Sequence, residues 1–226
     1  MVGLSVEKIS DQIYNIIKER IITNKLKPGC RFNFEDLQSE FKISKTPLRE
    51  ALNKLEIEGF IEIRPRSGTY VKIPGEKDII DIYDLRKAIE WQTLQLAATN
   101  IPESKLLNLQ RDNNIAYTLV EKGDFSYFLE CDTNFHSTLL NYCDNNRIKS
   151  VADTIDGHMK WFRFYSASSI EKTSRACQRH LQIIDLLLKK SVIEAADLLV
   201  LHIDEVKNDV IREYQRNSNQ GLKETK

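Results

Sequence analysis

The chain has 226 residues, 41% hydrophobic and 29% charged, which fits one large or two small globular domains and excludes wholesale disorder. Thirty-three Lys and Arg offset thirty-three Asp and Glu, and a formal net charge of zero argues, taken alone, against a surface coated in basic charge for nucleic acid or membrane. No uncharged apolar run approaches the ~18 residues of a membrane span, the acidic N-terminus is no signal peptide, and the four cysteines (Cys30, Cys131, Cys143, Cys177) lack C-x-x-C spacing, so a cytoplasmic protein with reduced thiols is expected.

In chain order, Ile9, Ile13, Ile16, Ile17 and Ile21 form the apolar stripe of a helix over about 6–24, ended by Lys27-Pro28-Gly29. Asn33 is placed to cap a short second helix carrying Leu37 and Phe41. A turn at Ile43-Ser44-Lys45-Thr46-Pro47 leads into a third helix with Leu48, Ala51, Leu52 and Leu55 inward. Pro47 suits its first turn, where a missing N–H costs nothing, and Gly59 ends it. Two alternating runs, Ile61–Arg64 and Thr69–Ile73, have the strand period of two, with turn chemistry at Pro65-Arg66-Ser67-Gly68 between them. Pro74-Gly75 breaks the chain, and the boundary of a first domain, 1–75, falls there.

Helix, short helix, tight turn, helix and two-stranded wing make a winged helix-turn-helix, in which the third helix fits the major groove of DNA. Its exposed face carries Lys45, Thr46, Arg49, Asn53 and Lys54, and the wing tip carries Arg64, Arg66 and Ser67. A merely solvated charged face is the alternative, and spacing, wing and capping together weigh against it.

The remainder, 76–216, reads as an all-α bundle of six or seven helices followed by a polar tail, 217–226. The helices are expected at about 78–99, from Pro102, from an Asp124 cap to Tyr142, at 146–166, at 172–189, and at 192–214 with a Ser191/Glu194 capping box. Phe125, Phe128, Leu129, Asp132, His136 and Leu139 share one stripe, so a carboxylate lies on an apolar face beside a histidine at i, i+4. Unpaired burial of that carboxylate would be costly. His180 and His202 lie on the apolar stripes of two helices joined near Ser191, midway between them, so an antiparallel fold brings both to one depth. Three imidazoles and a carboxylate converging in a bundle suit a borderline divalent metal such as zinc or nickel.

Several blocks also carry a family resemblance. Leu26-Lys27-Pro28-Gly29, Ile43 through Leu52, Leu55 through Ile61 and Gly68-Thr69-Tyr70-Val71 closely resemble the GntR-family DNA-binding domain. The resemblance implies that Arg49, with Lys45 and Thr46, meets DNA near the start of the recognition helix, and that Gly68 lets the wing approach the minor groove. Where some members carry an arginine early in the second helix, this chain has Glu35-Asp36. The Tyr83-Asp84-Leu85-Arg86 and Glu90 segment, Asp132-x-x-x-His136, Arg179-His180 and His202-Ile203 are similar to the FCD ligand-binding domain of the FadR branch. That similarity implies a metal held by Asp132, His136, His180 and His202.

His158 lies outside the pattern and reads as a core or pocket-lining residue, with effector binding as the alternative. Arg86 and Arg163 are candidates to bind a carboxylate effector in a bidentate way, with salt bridging, for instance Arg86 to Glu90, as the alternative. The expected protein is a homodimeric repressor on a palindromic operator, controlled by a small carboxylate at the metal. A metalloenzyme, and a regulator with a purely structural metal, are the competing readings. No H-E-x-x-H is present to favour the enzyme.

Overall fold

The computed structural model of the protein describes residues 8–162 and 169–224, with side chains for all of these except 217–224. Helix α1 (Ile9–Ile22) packs on α3 (Lys45–Ile57) because Ile13, Ile17, Ile21 and Ile22 repeat at helical spacing and are buried. Ile9 and Ile16, expected on that stripe, are exposed at 58% and 41%. The apolar stripe is thus wider than the surface α1 buries. Asn33 caps α2 (Phe34–Phe41), its side chain accepting hydrogen bonds from the amides of Glu35 and Asp36. Gly59, at φ +80, takes the left-handed position that closes α3.

Strands β1 (Ile61–Arg64) and β2 (Gly68–Val71) pair antiparallel, Ile61 opposite Val71 and Arg64 opposite Gly68. The turn between them closes through the Ser67 amide, which donates to the Arg64 carbonyl at 3.0 Å, with Arg66 at φ +62. A third edge, absent from the sequence expectation, runs beside β2. Gly29, Cys30 and Phe32 exchange backbone hydrogen bonds with Val71 and Thr69, and Arg31 bridges Tyr70.

Six further helices follow among the described residues: α4 (Glu76–Ala97), α5 (Glu103–Val120), α6 (Phe128–Tyr142), α7 (Asn146–Phe162), α8 (Ile170–Leu188) and α9 (Val192–Glu224). The last continues past the expected end at Tyr214 into the segment read as a polar tail. Asp124 does not cap α6. Its carboxylate accepts from the Ser126 amide and closes a turn, and the helix begins at Phe128. Leu129 is half-exposed rather than on the buried stripe. α4 packs on α9 and α6, α5 on α8 and α6, and α8 on α9.

The described residues fall into two compact units. One takes in the chain up to Gly75 together with the end of α7 from Asp156, and the other takes in Glu76 to Ile155 with the C-terminal helices.

Candidate metal centre and DNA-binding head

The second unit brings Asp132, His136, His180 and His202 together. One ligand atom from each lies within 4.8 Å of all the others. Asp132 and His136 are adjacent turns of α6, with Asp132 Oδ1 at 3.7 Å from His136 Nε2 and 3.8 Å from His180 Nε2. The chain reverses after α8 through Lys190 at φ +61, and α9 returns so that His202 Nε2 lies 3.2 Å from His180 Nε2. Metal–nitrogen bonds of about 2.1 Å at tetrahedral angles separate ligand atoms by roughly 3.4 Å, so the donor set fits one divalent ion.

Residues on α4 and α5 aim the imidazoles. A carboxylate only accepts, so His136 Nδ1 donates to Glu90 Oε2 at 2.7 Å, which turns the Nε2 lone pair toward the cluster. Asn113 does the same for His180. Its amide nitrogen is committed to the Leu109 carbonyl, which leaves Oδ1 to accept from His180 Nδ1 at 3.2 Å. Burial, reinforced by the neighbouring His136, holds His180 down to about 3, and burial drives His202 well below the ordinary imidazole range. Both rings are therefore neutral and able to bind a metal.

Burial of Glu90 would push its carboxyl up, but Arg86 and His136 outweigh it and hold the group down to about 2. Arg86 Nε donates to Glu90 at 2.5 Å and its Nη2 donates to His136 Nε2 at 3.0 Å, a hydrogen bond that a metal at Nε2 would replace. The Arg86–Glu90 salt bridge read from the sequence is thus present, and the guanidinium also reaches the cluster. Thr93, one turn beyond Glu90, holds a buried hydroxyl without a hydrogen-bond partner among the described residues. Arg163 lies outside the described residues. His158 belongs to the first unit, where its Nε2 donates to the Glu58 carbonyl at 2.7 Å and its ring stacks on Phe60 at 4.2 Å.

Sequence reasoning did not assign Glu90 or Asn113 a place beside the metal ligands. The signal for Glu90 was its i, i+4 spacing from Arg86, which reads equally as a surface pair. Asn113 left only a polar residue on an otherwise apolar face of α5.

In the first unit, Lys45, Thr46, Arg49 and Asn53 are all exposed on the face of α3 opposite Leu48, Ala51, Leu52 and Leu55. Lys54 is held by an ion pair to Asp11. Arg64 packs over the Tyr70 ring at 4.5 Å and pairs with Glu62, whereas Arg66 and Ser67 are exposed at the wing turn.

A winged helix joined to an α-bundle with a buried His/Asp cluster defines a two-domain DNA-binding regulator. Residues 9–71 match the gntR family of bacterial regulatory proteins and residues 81–205 match the FCD domain. The chain belongs to the GntR family of transcriptional regulators, in the form that carries an FCD domain. It is similar to the HTH-type transcriptional repressor RspR of Escherichia coli (strain K12), 26% identical over 94% of this chain and 93% of that one. It is also similar to the Nta operon transcriptional regulator of Aminobacter aminovorans, 27% identical over 87% of this chain and 96% of that one. The solved structure of E. coli McbR/YncC shares the fold, with a TM-score of 0.70 at 19% identity over 92% of this chain and all of that one. No described helix is long and apolar enough to cross a membrane.

Proposed function

We propose that the protein is a cytoplasmic repressor whose operator affinity is set by a small carboxylate bound at a zinc or nickel ion. Residues 1–75 serve as the DNA-binding domain, and 76–216 as the effector, metal-binding and dimerisation domain. The observation that carries the reading is the buried cluster of Asp132, His136, His180 and His202, with two of its imidazoles aimed by Glu90 and Asn113. Three nitrogens and one oxygen fill four positions, so an effector would bind by expanding the metal to five- or six-coordination. A sugar acid or hydroxy acid would supply the added oxygens, with the Arg86 guanidinium and the Thr93 hydroxyl as further polar groups on α4. Effector and operator are then coupled through two packings of the bundle, each bound differently by the acid. The name of the RspR relative includes repression, which supports that sign of control.

Lys45, Thr46, Arg49 and Asn53 are the proposed contacts of the recognition helix, and Arg64, Arg66, Ser67 and Gly68 those of the wing. A homodimer places two such heads on a palindromic site. The test is Arg49→Ala. With duplexes selected from genomic DNA by the wild-type protein, the variant keeps its circular dichroism spectrum and loses about five- to 100-fold in affinity at fixed salt, the scale of one good base contact of ~1–3 kcal/mol. Retained affinity would remove α3 from the interface.

A further inference from the structure

Gly68, at the start of β2, adopts φ +136, a left-handed conformation that favours glycine. The space where its Cβ would stand is already taken. The nearest heavy atom is Arg31 Nε at 2.8 Å, followed by Arg31 Nη2 at 3.4 Å. The glycine therefore makes room for a guanidinium of its own chain.

The backbone fixes the point from which that guanidinium extends. Arg31 sits on the third edge of the wing, bridged to Tyr70 and flanked by the hydrogen bonds of Cys30 and Phe32 to β2. Thr69 and Val71 face inward, so Gly68 and Tyr70 share the outer face, and Glu62 and Arg64 lie opposite them across the ladder. On this face Arg64 is neutralised by Glu62. Arg31 is exposed, and no hydrogen bond or ion pair among the described residues takes up its charge. A guanidinium that lies over the wing backbone and is unpaired among the described residues is an electrostatic partner for a backbone phosphate.

We propose that Arg31 is a DNA-phosphate contact of the wing and that Gly68 serves DNA binding by seating it. This rests on the reading of the first unit as a DNA-binding head. The experiment follows binding of the full-length protein to a mixed-sequence duplex of ~30 base pairs across ~50–200 mM KCl, where each phosphate contact contributes about 0.9 to the slope of log affinity against log salt. Wild type, Arg31→Ala, Arg31→Lys and Arg49→Ala are compared, with thermal melting of each. Arg31→Ala is expected to lower the slope by about 0.9 for each Arg31 engaged, and to weaken binding alike on mixed-sequence and wild-type-selected duplexes. Arg31→Lys is expected to keep the wild-type slope, because the charge is kept. An unchanged slope in Arg31→Ala overturns the proposal, and so does a slope lost equally in Arg31→Lys, which would mark a structural role. Wild-type protein without salt-dependent binding overturns the head's reading itself, an outcome visible before any variant is compared.

Discussion

His136 and His180 each need one nitrogen held so that the other is free, and a different neighbour supplies each hold. Glu90 does so with a charge and Asn113 with a fixed amide. Glu90→Gln keeps an acceptor oxygen near His136 but removes the negative charge that balances Arg86. Competition with a chromophoric chelator is expected to show metal affinity lowered about 10–100-fold in the folded protein. Unchanged affinity would mean that the four ligands orient themselves. The convergence of the four residues was legible in the sequence, because Asp132 and His136 are one helical turn apart and His180 and His202 are symmetric about the reversal at Ser191. Their aiming partners were not. Glu90 lies 46 residues from His136 and Asn113 lies 67 from His180, and only the packing of α4 and α5 against α6 and α8 brings them in.

Among the elements, α7 departs furthest from what its sequence suggests. Its pattern reads as one more bundle helix, yet from Asp156 it belongs to the compact unit of the head. Gly157 makes that packing possible. A Cβ there would stand 2.7 Å from Lys18 Cε and 2.9 Å from Phe60 Cζ. Helix propensity alone favours Gly157→Ala by about 1 kcal/mol. Phe60 is fully buried and stacked on His158, so its ring has nowhere to move, and overpacking costs about 1–3 kcal/mol. The two effects have opposite signs and packing wins. Gly157→Ala is expected to lower the denaturant midpoint followed by Trp161 fluorescence, and a raised midpoint would show that the joint yields. Sequence periodicity identifies α7 as a helix through its own backbone bonds. It does not say which surface the helix finishes against, because a glycine on a helix reads as weak propensity rather than close approach. The winged helix was more legible, since caps, turns and alternation act within a few residues.

At the scale of the molecule, the zero net charge is a sum of unlike parts. Residues 1–75 hold 13 Lys and Arg against 10 Asp and Glu, and residues 76–226 hold 20 against 23. Much of the head's positive charge is also spent internally, in Lys18 to Glu58, Arg20 to Glu40, Lys54 to Asp11 and Arg64 to Glu62. Such a head gains little from its overall field, so the proposed binding rests on a few placed cations and on the proposed pairing of two copies. On the proposed reading, control of affinity comes from the bundle, whose most specific feature is the Asp132, His136, His180 and His202 cluster. Elemental analysis of purified wild type is expected to give one divalent ion per chain, and the double variant His180→Ala/His202→Ala none. Full occupancy in the double variant would refute the ligand set. The same variant separates the two roles a metal would have here. A metal that holds the fold together leaves the C-terminal helices unfolded when its ligands are lost, visible as lost helical signal. A metal that receives an effector leaves them folded, and removes only the ability of small organic acids to shift melting temperature and DNA affinity together. The second outcome is the expected one. The bundle packs through an apolar interior that includes Ile79, Leu94, Leu109, Phe135, Ile183, Ile184, Leu199 and Ile203, all at most 1% exposed, so its folding does not hang on a single ion.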